Sequence, residues 1–315
     1  MILDAHAHLL NRGRDLSDDL LRHYLEMYAS AGCWRTGRPW TTDDLCVPPE
    51  TLIDDMDAAG VDRALVMTLG STVLGGHDPT LAEHIAACCR AFPDRLVGML
   101  TADPLGGLAE GRRIVREVPR LGLAGVKVLP AYSRMPIDDR RIWPIYRAAA
   151  ELDCPLVLHT GWCAIPAGQT LAHDHPLQIE AALADFPGLR VVVAHCGFAW
   201  SEQVLFLLAA HPRLSADLAY WSQTMPAWRS AMTLSQAKHI GVIDRLLWGT
   251  DYPFASPARD LSYWRGVPEA GARLGLDPEV TDEDVAAFLG PNAVRVLGLG
   301  ERASAGPAVR AGTVP

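Results

Sequence analysis

The chain has 315 residues, of which 49% are hydrophobic and 21% charged, and its formal net charge is −9. This composition excludes a disordered chain and supports a sizeable core. Because the basic residues are scattered, we expect no nucleic-acid partner. Apolar stretches such as residues 204–210 are far shorter than the roughly 20 residues that span a bilayer, and no charged leader precedes residue 6. We therefore expect a soluble, cytoplasmic protein without a membrane partner.

The cysteines form an odd and irregularly spaced set. They lie at positions 33, 46, 88, 89, 154, 163 and 196. Such a set is typical of reduced, mostly buried thiols in a cytosolic protein. Cys163 and Cys196 stand apart, because each closely follows a histidine at the end of a predicted strand.

Short apolar runs recur along the chain and predict eight β-strands. The predicted strands lie near residues 2–7, 63–69, 96–101, 124–129, 155–160, 190–195, 213–218 and 245–250. Amphipathic segments of helical length separate most of them. One begins after Pro48-Pro49 and ends before Gly60, which are start and stop signals for a helix, and residues 142–152 and 176–186 have the same character.

Strands that alternate with helices predict a parallel sheet in an α/β protein, and the closed form of eight such units is the (β/α)8 TIM barrel. An open doubly wound sheet is the alternative. That sheet requires a glycine-rich phosphate turn after the first strand, whereas this chain has His6-Ala7-His8 there. We therefore predict a single barrel domain over residues 1–300.

A long insertion, residues 11–47, separates the first strand from its helix. Its middle, residues 17–30, has a helical pattern, and a turn-rich stretch follows that contains Trp34, Arg35, Arg38 and Trp40. Long loops inside compact domains are often lids or binding elements, although a decorative insertion is the other interpretation. We predict a lid here.

Two further segments depart from the strand–helix repeat. Residues 161–175 form a long loop after the fifth strand. Residues 301–315 are rich in Ala, Gly and Pro, so we expect a flexible C-terminal tail.

Side chains that bind metals stand at the ends of several predicted strands, where barrel enzymes carry their chemistry. Residues i and i+2 of a strand point to the same face, so His6 and His8 leave the first strand in parallel. His159, His195 and Asp251 end the fifth, sixth and eighth strands. Each has an ordinary structural explanation alone, but together they are the ligands that a divalent transition metal prefers.

With these residues the chain resembles the amidohydrolase superfamily, specifically the amidohydrolase-2 branch that also contains aminocarboxymuconate-semialdehyde-decarboxylase-like proteins. The resemblance runs from Met1 to about Leu299 and includes the closing segment 292–299. It is specific for the superfamily and not for a substrate. The positions that match the family's pattern are His6 and His8 on strand one, His159 on strand five, His195 on strand six and Asp251 on strand eight.

The resemblance implies that His6, His8, His159 and Asp251 hold one divalent metal ion together with a water molecule. We expect zinc, with iron or manganese as alternatives. The metal lowers the pKa of the water to about 7. His195 stands beside the water as a base or an electrostatic partner, and Asp251 orients the nucleophile and moves its proton, so both are the expected catalytic residues.

Lys127, at the end of the fourth strand, leaves a second arrangement open. In two-metal members of the superfamily, a strand-four lysine reacts with carbon dioxide to form a carbamate that bridges both ions, and His159 and His195 bind the second ion. Otherwise Lys127 stays an ammonium and anchors a substrate carboxylate. Its presence favours hydrolysis over decarboxylation, because a bridging hydroxide is a hydrolytic device.

Candidate substrate contacts lie just beyond three of the strands. Aromatic walls with an arginine suit a planar or cyclic acid, although core packing also accounts for many such aromatics. We therefore expect a small anionic substrate, and a homodimer is compatible with the sequence. The candidates are Tyr132 and Arg134 after strand four, Trp162 after strand five, and Tyr220 and Trp221 after strand seven.

The leading functional hypothesis is a metal-dependent hydrolase. It cleaves an ester, thioester, lactone or amide bond of a small carboxylated or cyclic substrate by metal-activated hydroxide. The alternative is a metal-dependent, non-oxidative decarboxylase or related lyase of an aromatic or unsaturated acid. A third hypothesis, a barrel that binds metal or ligand without turnover, is disfavoured because a passive scaffold needs neither Asp251 nor His195.

Overall fold

The structure of the chain is a computed structural model that describes residues 1–30, 32–70, 77–162 and 170–299. Eight parallel strands pair in chain order, from β1 to β8, and confirm the predicted (β/α)8 barrel. The strands are β1 (Leu3–His8), β2 (Arg63–Met67), β3 (Leu96–Ala102), β4 (Gly125–Val128), β5 (Pro155–Leu158), β6 (Arg190–Val193), β7 (Leu214–Asp217) and β8 (Leu246–Leu247).

Irregular backbone brings the first and last strands together. The N–H of Ala5 donates to the carbonyl of Trp248 (2.9 Å), and the N–H of Asp251 donates to the carbonyl of His6 (2.8 Å). Only two residues of β8 are in strand conformation. The barrel is therefore nearly closed, and the segment that follows β8 makes part of the closing contact.

Helices follow the strands, as the alternation predicted. The helix that starts at Pro49 ends at Gly60, whose φ of 73° gives the left-handed cap typical of a helix end. The helices are α1 (Asp18–Met27), α2 (Thr42–Leu45), α3 (Pro49–Ala59), α4 (Leu81–Ala91), α5 (Gly107–Leu121), α6 (Trp143–Glu151), α7 (Glu180–Asp185), α8 (Ser201–Ala210), α9 (Trp221–Thr224), α10 (Ala227–His239), α11 (Pro257–Arg265), α12 (Val267–Leu274), α13 (Asp282–Phe288) and α14 (Pro291–Leu297).

The barrel strands are buried on both faces, which explains why they read as continuous apolar runs. Residues that point into the barrel form one apolar cluster, and a larger cluster packs the helices against the outside of the strands. The interior cluster includes Leu3, Leu65, Met99, Val157 and Val192. This packing leaves the C-terminal ends of the strands as the place where polar side chains gather.

The insertion 11–47 carries α1 and α2 and packs through its own apolar cluster. Leu16, Leu20 and Tyr24 contribute to this cluster, and so do Leu129 and Phe254 from the loops that follow β4 and β8. The insertion is therefore seated over the C-terminal end of the barrel. That it opens as a lid stays a prediction.

Some predictions fall outside the described residues. These are Cys163 in the loop after β5 and the tail 301–315. The described cysteines are unpaired, and Cys196 is fully buried. Among the helices that the structure describes, none has the length and apolar character needed to cross a membrane. That residues 1–300 form a single domain stays a prediction.

Candidate metal centre

The two histidines of β1 and the aspartate after β8 lie together at the C-terminal end of the barrel. The imidazoles of His6 and His8 are buried, with ring centroids 5.1 Å apart. Nε2 of His8 lies 3.1 Å from Oδ1 of Asp251, and Nε2 of His6 lies 3.6 Å from the same oxygen. The structure thus brings three of the residues predicted as ligands beside one another, and that they bind a metal stays a prediction.

His159 and His195 complete a group of four imidazoles. The ring of His195 lies 5.0 Å from that of His6 and 5.1 Å from that of His159. Nδ1 of His195 donates to the carbonyl of Ala219 (3.1 Å), and this bond leaves Nε2 of the neutral ring as an acceptor.

Backbone strain is concentrated at this group. His195 and Cys196 have φ values of 58° and 47°, and Asp251 has a φ of 61°. Residues other than glycine rarely adopt this left-handed backbone conformation, and each residue held in it raises the free energy of the folded state by about 1–3 kcal/mol. The surrounding contacts hold these residues in place, and the strain lies where the candidate ligands are.

The donor set fits a divalent transition metal. One ligand atom each from His6, His195 and Asp251 lies within 4.8 Å of the others, so these residues could hold an ion. Within the described part of the chain, Nδ1 of His8 and Nε2 of His159 are buried without a hydrogen-bond partner. Buried polar atoms without partners are rare, and a bound ion accounts for such atoms in a ring of imidazoles.

Burial keeps the imidazoles neutral, which is the state that binds metals. Burial lowers the pKa of His6, His8 and His159, and it lowers the pKa of His195 to about 4. Burial alone would raise the pKa of Asp251, but the hydrogen bond with His8 and the neighbouring histidines hold it well below its usual range. At neutral pH the site therefore offers imidazole lone pairs and a carboxylate.

Lys127 lies inside the same group. Its side chain is fully buried, and Nζ is 3.2 Å from Nε2 of His6. Burial lowers the pKa of Lys127 to about 8, although the charges of Asp217 and Asp251 oppose this shift. The structure thus brings together all six residues predicted as metal ligands.

Asp217, the last residue of β7, contacts two of the candidate site residues and was not among the residues predicted from the sequence. Its Oδ2 accepts a hydrogen bond from Nδ1 of His6 (3.0 Å), and its Oδ1 accepts from the N–H of His195 (2.9 Å). Burial would raise the pKa of Asp217, but its contacts with His6 and His195 hold the value at about 2. The signal was present, since Asp217 ends a strand like the other candidates.

A second missed carboxylate joins β1 to the segment after β8. Asp4 is buried in β1, and its Oδ1 accepts from the N–H groups of His6 and Thr250, both at 3.0 Å. Its Oδ2 accepts from the hydroxyl of Thr250 (2.5 Å). Asp4 thereby fixes the relative position of two segments that carry candidate ligands.

Aromatic residues of the insertion meet aromatic residues of the barrel loops beside the site. The hydroxyls of Tyr24 and Tyr132 lie 3.2 Å apart, and those of Tyr28 and Tyr220 lie 2.9 Å apart. The ring of Tyr132 stands at a right angle to that of His159, 5.4 Å away. Tyr132 and Tyr220, two residues predicted to contact a substrate, belong to this aromatic group together with Tyr24 and Tyr28, which the sequence analysis did not name; that Tyr132 and Tyr220 contact a substrate stays a prediction.

The other predicted substrate contacts have different environments. Trp221 has no exposed surface, and its indole N–H donates to the carbonyl of His195 (2.8 Å), so it lies beneath the site and supports His195. Trp162 is 42% exposed. Arg134 is exposed and adopts a φ of 56°. That these residues contact a substrate stays a prediction.

Comparison with known families shows which protein family the chain belongs to. The family model of the amidohydrolase-2 branch, described as amidohydrolase, matches residues 3–299. The chain belongs to this family. The match spans every strand of the barrel, so this amidohydrolase-2 protein is an enzyme of the amidohydrolase superfamily, as the resemblance implied.

Two relatives of the chain have named activities. A decarboxylase of Emericella nidulans, decarboxylase orsB, is 22% identical over 278 residues, which cover 70% of this chain and 82% of that protein. A 2-keto-4-carboxy-3-hexenedioate hydratase of a Sphingobium species is 30% identical over 134 residues, covering 36% of this chain and 38% of the hydratase.

A solved structure of similar fold contains a metal ion. A dihydroxybenzoic acid decarboxylase of Polaromonas sp. JS666, with bound manganese and the inhibitor 2-nitroresorcinol, superposes with a TM-score of 0.68. It is 14% identical, and the superposition covers 95% of this chain and 97% of the decarboxylase. The manganese belongs to that decarboxylase; in this chain it is the group of His6, His195 and Asp251 that supports a divalent metal, and the expectation of zinc in particular is not confirmed.

The comparisons contradict the leading functional hypothesis. The two sequence relatives are a decarboxylase and a hydratase, and both reactions are lyase reactions. The prediction of a hydrolase was therefore wrong, and the relatives agree with the decarboxylase or lyase that stood as the alternative. Lys127 does not by itself distinguish hydrolysis from decarboxylation, because a sequence does not show whether a lysine is carboxylated.

Proposed function

We propose that this protein is a metal-dependent, non-oxidative decarboxylase of a small aromatic or unsaturated carboxylic acid. The observation that carries the proposal is the position of the ligand group beneath an aromatic wall, formed by Tyr24, Tyr28, Tyr132 and Tyr220. Imidazoles and a carboxylate bind an ion, and aromatic side chains enclose a planar acid. The related decarboxylase supports this class of reaction.

In this proposal His6, His8, His159 and Asp251 hold one divalent ion. When bound there, the ion supplies a Lewis acid that draws electron density from an oxygen of the acid substrate. We favour zinc, because three imidazoles and one carboxylate are a donor set that suits zinc better than manganese. Manganese is the alternative, given the ion in the Polaromonas decarboxylase.

A residue of the chain itself transfers the proton that decarboxylation requires. In decarboxylation the bond between the substrate carbon and its carboxylate breaks, carbon dioxide leaves, and the electron pair left on that carbon takes up one proton. His195 is fixed by Ala219 and Trp221 with Nε2 as the available nitrogen. We assign to Nε2 the transfer of this proton: as the unprotonated nitrogen of a neutral ring it first accepts a proton from solvent and then passes it to the substrate carbon, which returns the ring to its neutral state.

Carbon dioxide release tests the proposal. Zinc- and manganese-loaded protein is incubated in D2O with a panel of aromatic and unsaturated acids that includes 2,6-dihydroxybenzoate. The expected result is carbon dioxide and a product with one deuterium on the carbon that lost the carboxylate. Addition of water to an unsaturated acid without carbon dioxide would overturn the proposal in favour of a hydratase.

Two variants assign the proton transfer. His195→Asn removes the proton carrier, and we expect a loss of at least about 100-fold in kcat, the usual contribution of general acid–base catalysis. His239→Asn changes an exposed histidine of α10 and should leave kcat unchanged. Equal activity of the two variants would remove His195 from the mechanism.

Lys127 is proposed to be an unmodified amine beside a single ion. A bridging carbamate belongs to the two-ion arrangement that activates hydroxide, which decarboxylation does not require. Elemental analysis is expected to give one equivalent of metal per chain, and the intact mass is expected to lack one added carbon dioxide. Two equivalents of metal together with the added mass would establish the carbamate instead.

A further inference from the structure

The strained backbone of Asp251 requires support from its neighbours. With a φ of 61°, this residue keeps a conformation that costs about 1–3 kcal/mol, and such strain persists only where the surroundings enforce it. On the barrel side, the N–H of Asp251 donates to the carbonyl of His6, and the N–H of His8 donates to the carbonyl of Tyr252 (2.7 Å). These bonds hold the main chain on one side of the segment 251–253.

The insertion holds the same segment from the other side. The indole N–H of Trp34 donates to the carbonyl of Pro253 (2.9 Å). The adjacent Arg35 donates from one terminal nitrogen to the hydroxyl of Tyr252 (3.0 Å) and from Nε to Oδ2 of Asp55 on α3 (3.0 Å). The hydroxyl of Tyr252 in turn donates to the same oxygen of Asp55 (2.8 Å). Arg35, Tyr252 and Asp55 thus form a closed triangle of hydrogen bonds.

Stacking fixes the orientation of the guanidinium in this triangle. Its carbon lies 4.5 Å from the ring centroid of Trp34 and 5.6 Å from that of Tyr252. The side chains of Arg35 and Asp55 are only 18% and 17% exposed, so their ion pair is better shielded from water than a surface pair. A planar guanidinium can donate to two partners and stack on two rings at the same time, whereas the ammonium of a lysine cannot.

We infer that Arg35 is a positioning residue for the metal ligand Asp251, acting through Tyr252. The insertion is then a fixed part of the metal centre: its Arg35 and Trp34 hold the segment 251–253 in the strained conformation that directs the Asp251 carboxylate toward His6 and His8. Without the guanidinium of Arg35, Asp251 relaxes toward ordinary backbone angles, and its carboxylate moves away from the imidazoles. This inference rests on the metal centre of the proposed function and not on the reaction.

Zinc affinity of the metal-free protein tests the inference independently of activity. Affinity is measured by competition with a chromophoric chelator for the wild type, Arg35→Met, Tyr252→Phe and the double variant. Residues that support a metal ligand typically change affinity by 10–100-fold, so each single variant should bind zinc about tenfold more weakly. Because both act through one triangle, the double variant should lose little more than either single one.

Controls separate positioning from a general loss of stability. Arg38→Met changes an exposed arginine of the same insertion and should leave zinc affinity unchanged. The melting temperature of each metal-free variant reports folding. Tyr252→Phe retains the buried aromatic ring and loses only the hydroxyl. If Arg35→Met does not fold, the zinc affinity of Tyr252→Phe therefore tests the inference.

Three outcomes are distinguishable. Weaker zinc binding by Arg35→Met or Tyr252→Phe, with Arg38→Met like the wild type, supports the inference. Zinc affinity within twofold of the wild type in both triangle variants overturns it, even where the melting temperature falls. Absence of zinc binding by the wild type removes the metal centre itself, and with it the proposed function.

Discussion

Nδ1 of His6 lies 3.0 Å from Oδ2 of Asp217, although the two residues are 211 positions apart in the chain. A carboxylate that accepts this bond fixes the ring orientation and leaves Nε2 of His6 unprotonated for a metal ion. The same carboxylate also accepts from the N–H groups of His195 and Ala219. One buried aspartate therefore orients residues on two sides of the centre.

Asp217→Asn is expected to weaken metal binding while the fold persists. The amide can present an N–H to Nδ1 of His6, so the ring loses its preferred tautomer. The metal affinity should fall by about 10–100-fold, which zinc competition against a chelator measures. Ser215→Ala is the matched control, because Ser215 is a buried residue of the same strand whose hydroxyl makes only a 3.4 Å contact with the carbonyl of Val191. Equal affinities of the two variants would contradict the role of Asp217.

Gly249→Ala is expected to disturb the centre through His6. A Cβ at position 249 would lie 2.7 Å from Cβ of His6 and 3.1 Å from its backbone nitrogen, distances that require the strand to shift. Such overpacking typically costs about 1–3 kcal/mol. We expect a lower melting temperature and weaker zinc binding. Gly188→Ala serves as the control, since within the described residues its added Cβ would have no atom within 4 Å apart from its own residue and chain neighbours. A melting temperature and zinc affinity of Gly249→Ala equal to those of Gly188→Ala would refute the prediction.

Asp260 is expected to make stability depend on pH. Burial raises the pKa of Asp260 to about 7, although Ser222 and Trp248 donate hydrogen bonds that oppose this shift. In the unfolded chain its pKa is about 3.9. Between these values the folded state binds the extra proton, so this contribution stabilises the protein at low pH and is lost as the pH rises toward 7.

Asp260→Asn isolates this contribution. Each unit of pKa shift corresponds to about 1.4 kcal/mol, and the variant has no group that titrates at this position. The difference in unfolding free energy, wild type minus variant, should therefore decrease between pH 4.5 and pH 7 by on the order of 3 kcal/mol. Denaturant unfolding across this pH range measures it, and a difference that stays constant with pH would show that Asp260 keeps an ordinary pKa.

The barrel could be predicted from the sequence because its signals are local. Each strand is a short apolar run between helix signals, and Pro49 and Gly60 mark the two ends of α3 in the sequence itself. The candidate ligands followed from one rule, that the C-terminal ends of parallel strands meet at one edge. His159, His195 and Asp251 fit this rule, because each lies just after the C-terminal end of its strand.

The supporting residues could not be predicted in the same way, because their partners are distant in the chain. Arg35 and Tyr252 are separated by 217 positions, and no pattern near either one indicates the other. Asp217 was accessible to the strand-end rule and was overlooked. The class of reaction was mispredicted for a different reason: residue types define a metal centre, whereas hydrolysis and decarboxylation differ in what lies around the ion.

The contact between Asp4 and Thr250 has a consequence for how the protein is made. These residues are 246 positions apart, so the contact that completes the barrel is among the last to become available during synthesis. Until residues 246–252 leave the ribosome, β1 presents an unpaired hydrogen-bonding edge that invites association with other chains. Non-local pairing of this kind also slows folding. The nascent chain, more than the finished enzyme, is therefore the form that needs protection from aggregation.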